Sequence, residues 1–276
     1  MSEVAVITGT THGIGRVTSR ELARAGKTVV MLCRNVAAAG AVRAEIVRLV
    51  PRARIEVVHC DLASLASVRE AAAVVRRDFP PLGLLINNAG MVSTRRRTSV
   101  DGFELTFATN HLGPFLLTSL LADHLDKAAR IVSVASRIHY RGRLDLAAVT
   151  DARARYRATA AYAQSKLANV MHGFALARRT AGTGISVNSL HPGVVATNLL
   201  PPWLRVIKPL ITRVMFDAER GARSSIYLAL DPAVGGVTGR YFDENQLPRP
   251  AAALANDVEL QEALWNASAA WTGAPH

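Results

Sequence analysis

The chain has 276 residues, half of them apolar, enough to bury a sizeable core and too many for wholesale disorder. No apolar run reaches the roughly 18–20 residues of a membrane span; the first strand-like run opens at Val4 with no basic region or cleavage site before it, so a cytoplasmic protein without a secretory signal is expected. The net charge of +12 sets 33 basic residues, scattered along the chain, against 21 acidic ones, and only 5% of residues are aromatic; a nucleic-acid binder would gather its charge in a stripe among stacking rings, so that class is disfavoured.

Strand-like runs fall at 4–8, 28–33, 55–60, 84–87, 129–134, 185–190 and 239–242. Patterned helices are predicted at 13–25, 37–49, 65–77, 102–125, 160–179 and 218–229. The first strands read as unbroken apolar runs, which suits parallel strands buried on both faces. Alternation over the whole length predicts an α/β fold, a doubly wound parallel sheet with helices on both faces. With no repeat, low-complexity tract or linker, residues 1–276 read as a single domain. Cys33 and Cys60 show no metal or redox spacing and read as reduced core thiols. The histidines form no H-x-E or H-E-x-x-H grouping, so no metal is expected.

The first strand runs into TGTTHGIG, with Gly9, Gly13 and Gly15 around Thr11, His12 and Ile14. Glycines between a buried strand and a helix let the backbone turn sharply and approach a pyrophosphate, which the helix N-terminus then receives. At the end of the second strand an NAD-selective site usually carries an acid. Here Cys33 is followed by Arg34 and Asn35. A neutral thiol leaves a 2′-phosphate unopposed, and a guanidinium can clamp it with two hydrogen bonds. Arg16, just after the last glycine, adds a second positive charge. The cofactor predicted is NADP(H).

Tyr162 and Lys166, in YAQSK, are the strongest chemical signal. Four residues apart on a helix, they share one face. An ammonium that close favours the phenolate, so the spacing predicts a tyrosine that exchanges a proton near neutral pH instead of near its ordinary value of about 10.

In order, TGTTHGIG, Asp61-Leu62, NNAG (87–90), Asn110, Ser136, YAQSK and HPG (191–193) resemble the motifs of the short-chain dehydrogenase/reductases, over nearly the whole chain. MLCRN, NHLGPFLLT, GRYF and ELQEALWNAS resemble the retinol-dehydrogenase-like branch, as does the 26-residue step from Ser136 to Tyr162. Many members of that branch carry an N-terminal membrane anchor; this sequence looks more like soluble bacterial relatives, among them ketoreductases that tailor aromatic polyketides. The resemblance implies a Rossmann fold with a seven-stranded, mostly parallel sheet.

The resemblance also implies roles. Tyr162 would be the general acid or base, Lys166 would lower its pKa and hold the nicotinamide ribose, and Ser136 would orient the substrate oxygen. Ser136 is preferred to Ser133 because it closes the strand. Asn110 would anchor a water leading from Lys166 to solvent. Asp61 and Leu62 would hold the adenine, Asn88, Ala89 and Gly90 would pass the ribose, and Pro192, Gly193, Val195 and Thr197 would bracket the carboxamide. Relatives commonly form dimers or tetramers through the two helices carrying Asn110 and Tyr162.

Substrate choice should lie where the motifs end. The segment 198–217 is apolar with Pro, Trp and Met, and reads either as a lid over an apolar, polycyclic or polyketide-like substrate or as a packed amphipathic helix. The arginines of 95–97 and 137–157 read as a solvated rim, an acidic substrate being the second reading. The function expected is NADP-dependent alcohol/carbonyl oxidoreduction; the alternative is a catalytically silent NADP-binding sensor.

Overall fold

The computed structural model describes residues 3–193 and 217–275. Val195, Thr197 and, save its last residue, the segment 198–217 lie outside the described residues.

β1 (Val4–Thr8) is buried at all five positions, because alternate side chains enter opposite cores. Val4 and Val6 face one apolar cluster, and Ala5 and Ile7 the other. Around it stand α1 (Gly13–Arg24), β2 (Thr28–Cys33), α2 (Val36–Leu49), β3 (Arg54–His59), α3 (Leu65–Asp78) and β4 (Leu82–Asn87). The second half adds α4 (Leu105–Phe107), a π-helical turn (Ala108–Leu112), α5 (Gly113–Leu121), β5 (Leu125–Val134), α6 (Ala147–Thr150), α7 (Ala158–Arg179) and β6 (Ser186–Leu190). Beyond the undescribed stretch come α8 (Ala218–Leu230), β7 (Arg240–Phe242), β8 (Pro248–Arg249) and α9 (Val258–Thr272).

The strands form one eight-stranded sheet in the order β3-β2-β1-β4-β5-β6-β7-β8. Among the described strands, β1 to β7 pair in parallel and only β8 runs antiparallel. α1, α2 and α8 supply the core on one face, and α3, α5 and α7 the core on the other. This is the doubly wound arrangement the alternation predicts. The eighth strand is a two-residue addition: Asp243 takes Leu247 and Arg249 into a tight turn, its carboxylate accepting from Leu247 N and Arg249 Nε at 3.0 and 2.7 Å.

Two expectations need correction. The single helix over 102–125 starts later, at Leu105, where the buried Glu104 caps it by accepting from Thr106 N and Phe107 N. It then widens into the π-turn and ends near Leu121, and β5 begins at Leu125. The alternation also misses α9, which packs against α7 and α5. Chain order reverses beside β1, whose neighbours are β2 and β4, so a crevice opens at the C-terminal strand ends there.

Candidate active site

A cleft of about 460 Å³ runs along those strand ends. At one end β1 stops in the glycine turn. Gly9 has φ +72°, a conformation that disfavours side chains, and a β-carbon on Gly15 would collide with the Gly9 carbonyl oxygen and come within 2.6 Å of Asn88 Nδ2. Asn88 stitches β4 to β1 by donating from Nδ2 to Thr8 O and Gly9 O, while Thr8 Oγ1 accepts from Asn88 N and Ala89 N.

α1 then starts into the cleft uncapped. His12 at its N-cap makes no side-chain bond to the first turn, which also lacks an acid. α2, α3, α8 and α9, by contrast, are closed by Asn35, Ser64, Asp217 and Asp257. Among the described residues α1 therefore keeps first-turn N–H groups without a side-chain cap, and the positive end of its dipole, for an anion such as a dinucleotide pyrophosphate. The residues present fit that group.

Most of the predicted cofactor residues line this cleft: Gly9, Thr11, His12, Gly13, Ile14, Gly15, Cys33, Arg34, Asn35, Asp61, Leu62, Asn88, Ala89, Gly90, Pro192 and Gly193. Arg34 is exposed, its Nη1 4.0 Å from Asp61 Oδ2. Arg16 is not among the residues lining the cleft; it is half-exposed on α1 and pairs with Glu45 of α2.

At the other end Ser136 stands two residues beyond the end of β5, and Tyr162 and Lys166 rise from α7 one turn apart. All three line the cleft. Lys166 is 2% exposed; its Nζ donates to Val134 O at 2.8 Å and sits 5.7 Å from the Tyr162 ring centre. Gly90 makes room for it: a β-carbon there would lie 3.2 Å from that Nζ.

The protonation states differ from the expectation. Burial pushes Tyr162 up to about 12, against the pull of a hydrogen bond with the Ser136 hydroxyl. Burial also pushes Lys166 down to about 8. Removing both groups from water outweighs the attraction that the helical spacing suggests. Burial thus favours the neutral phenol of Tyr162, the form that can donate a proton.

Asn110 lies behind the cleft wall in the π-turn, fully buried. Its Nδ2 donates to Met91 O and Ser165 Oγ, and its Oδ1 accepts from Met91 N. The side chain thus fastens the backbone just after Gly90. Motif reasoning misses Leu32, Cys60, Met91, Thr109, Val134, Ala135 and His191, which also line the cleft. His191 stood in HPG, next to the two residues chosen, and was the one with a visible signal. Among the described residues no cluster of His, Cys, Asp and Glu could hold a metal, and no helix is long and apolar enough to cross a membrane.

Comparison with known proteins agrees with this geometry. The short chain dehydrogenase family model matches residues 3–205. The chain is 38% identical to retinol dehydrogenase 13 of Homo sapiens, over 98% of this chain and 85% of that protein. It is 37% identical to polyprenol dehydrogenase of Homo sapiens, with the same coverage of each. A solved structure of an uncharacterized protein from Mycobacterium paratuberculosis superposes with a TM-score of 0.81 at 34% identity, covering 99% of this chain and 95% of that one. The chain therefore belongs to the short-chain dehydrogenase/reductase family as a retinol-dehydrogenase-like member, and so to the nicotinamide-dependent oxidoreductases that interconvert alcohols and carbonyls.

Proposed function

We propose that the protein is an NADP(H)-dependent oxidoreductase acting on an apolar alcohol or the matching aldehyde or ketone. The observation carrying the reaction is the gathering of Ser136, Tyr162 and the buried Lys166 at one end of the cleft, with the Tyr162 phenol hydrogen-bonded to Ser136 and Lys166 Nζ 5.7 Å from its ring centre. Two relatives carry the names retinol and polyprenol dehydrogenase, which supports an apolar substrate. NADP(H) over NAD(H) rests on the adenosine end, where Cys33 and the exposed Arg34 stand in place of the acid that would repel a 2′-phosphate.

Bound NADPH supplies the hydride. The chain's own residues do the rest. The uncapped α1 N-terminus and glycine turn would receive the pyrophosphate, Arg34 the 2′-phosphate and Asp61 the adenosine. Ser136 would donate to the substrate oxygen and aim it. Tyr162, kept protonated by burial, would give its proton to that oxygen as negative charge develops there. Lys166, held by Val134 O, would lie behind the phenol. In the oxidative direction the same phenol must first lose its proton, so alcohol oxidation should rise with pH. Val195 and Thr197 remain part of the nicotinamide site by resemblance alone.

Following NADPH and NADH oxidation across apolar aldehydes, ketones and quinones tests this reading. NADPH-preferring turnover is expected. Equal rates with both cofactors at equal concentration would overturn the cofactor assignment. Tight NADPH binding without turnover of any substrate would favour the silent sensor. Turnover that falls as salt rises would bring back the acidic substrate. For assembly, α9 lies against the pair of helices through which relatives would associate. A dimer or tetramer built that way would have to include α9 in the contact, and sedimentation of the intact protein reads the outcome.

A further inference from the structure

Three residues beyond Ser136, His139 is fully buried and makes two hydrogen bonds that fix its tautomer. Its Nε2 lies 3.1 Å from Ala252 N, which can only donate, so Nε2 must be the bare acceptor. Its Nδ1 lies 2.7 Å from Ser136 O, which can only accept, so Nδ1 carries the proton. The ring packs against both Tyr140 and Tyr241, with centroids 4.1 and 4.6 Å away. Ala252 is itself buried and begins a 3₁₀ turn whose first bond runs from Ala255 N to Ala252 O at 2.8 Å.

We propose that His139 is the positioning residue for Ser136, tying the serine's backbone to the Ala252 turn on the far side of the sheet edge. The Ser136 carbonyl also accepts from His139 N at 3.0 Å, and its side-chain oxygen accepts weakly from Ile138 N at 3.4 Å and meets the Tyr162 phenol, so His139 is the link from the serine's backbone to the Ala252 turn. With β5 ending at Val134, the rigid ring restrains the residue that would aim the substrate oxygen. Its neutral Nδ1–H tautomer is the form able to satisfy both neighbours. A protonated ring could not accept from Ala252 N, and the opposite tautomer would lose both bonds. The inference rests on the reading that Ser136 orients the substrate.

Two near-isosteric variants separate positioning from simple packing. His139→Asn keeps an N–H where Nδ1 stood and loses the Ala252 contact; His139→Gln can reach Ala252 N and loses the Ser136 contact. kcat per folded enzyme should stay within about fivefold of the parent for His139→Asn and fall about 10- to 100-fold for His139→Gln, since small misplacements near a reacting group cost that much. NADPH affinity and the melting temperature, read on the same samples, should not follow that order. In a Ser136→Ala background, His139→Gln should cause no further loss, because the two act as a unit. Equal kcat for the Asn and Gln variants, or the same loss with and without Ser136, would overturn the inference. A Ser136→Ala enzyme with full activity would instead sink the underlying reading of the serine, whatever His139 does.

Discussion

The two ends of the cleft are built from different materials. The phosphate end is backbone: glycines in strained or crowded positions, an uncapped helix start, and Asn88 pinning β1 to β4 through main-chain atoms. The reacting end is side chains: a phenol, a serine hydroxyl and an ammonium whose protonation is set by burial. Backbone sites depend on the absence of atoms, so adding one methyl should break them. Side-chain sites depend on one oxygen or nitrogen, so removing it should stop chemistry while leaving binding intact.

Tyr162→Phe should give the largest effect at the reacting end. It deletes only the donating oxygen, so kcat should fall about 10²–10⁴-fold while NADPH binding, read by fluorescence titration, stays near the parent value. Retained turnover would remove the phenol from the mechanism. Gly15→Ala is the counterpart at the phosphate end. The added carbon has no room between Gly9 O and Asn88 Nδ2, so the turn must shift. A loss of about 1–3 kcal/mol of stability is expected, together with weaker NADPH binding. An unchanged melting temperature would mean that the crowding is relieved at no cost. Arg34→Ala should be milder, because the group is exposed. The NADPH-over-NADH preference in kcat/KM should drop about tenfold, near the lower range for a charged hydrogen bond, with NADH turnover almost unchanged.

The sequence was more legible at the phosphate end, and the reason is physical. A glycine turn after an apolar strand is a local pattern, and β1, β2 and the start of α1 fall where that pattern puts them. Sequence shows that the Arg16 charge is near the turn but not which way α1 rotates it, nor that it pairs with Glu45, 29 residues away. At the reacting end the Tyr162–Lys166 spacing was plain, yet the protonation was not. Spacing reports the attraction between the two groups and says nothing of the burial that opposes it. The π-turn around Asn110 escaped detection because a widened turn keeps ordinary helical residue types. His139 left no signal, since its second partner is 113 residues further along.

Acid should separate the two ends, with the smallest effect per step. The reacting half rests on buried, uncharged histidines. His111, in the π-turn next to Asn110, is pushed down to about 3 by burial and by His172; His172 and His191 are pushed down to about 4, mainly by burial. His111 shares a hydrogen bond with Ser268 of α9, and His172 stacks near Trp265 of the same helix, whose ring is covered by Arg179. These folded values lie below the ordinary 6.5, so the opened state binds protons that the folded state refuses. Their contribution is complete above about 6.5 and is lost as pH falls toward about 4, at no more than about 1.4 kcal/mol per pH unit for each histidine. Turnover and the docking of α9 should therefore weaken on acidification before the glycine turn stops binding NADPH. Hydrogen exchange of α9 and of α1, followed from neutral pH downward, compares the two directly. A His172→Gln variant should show a shallower fall of melting temperature with acid than the parent. Parallel loss of protection in α1 and α9 would show that the ends of the cleft open as one unit.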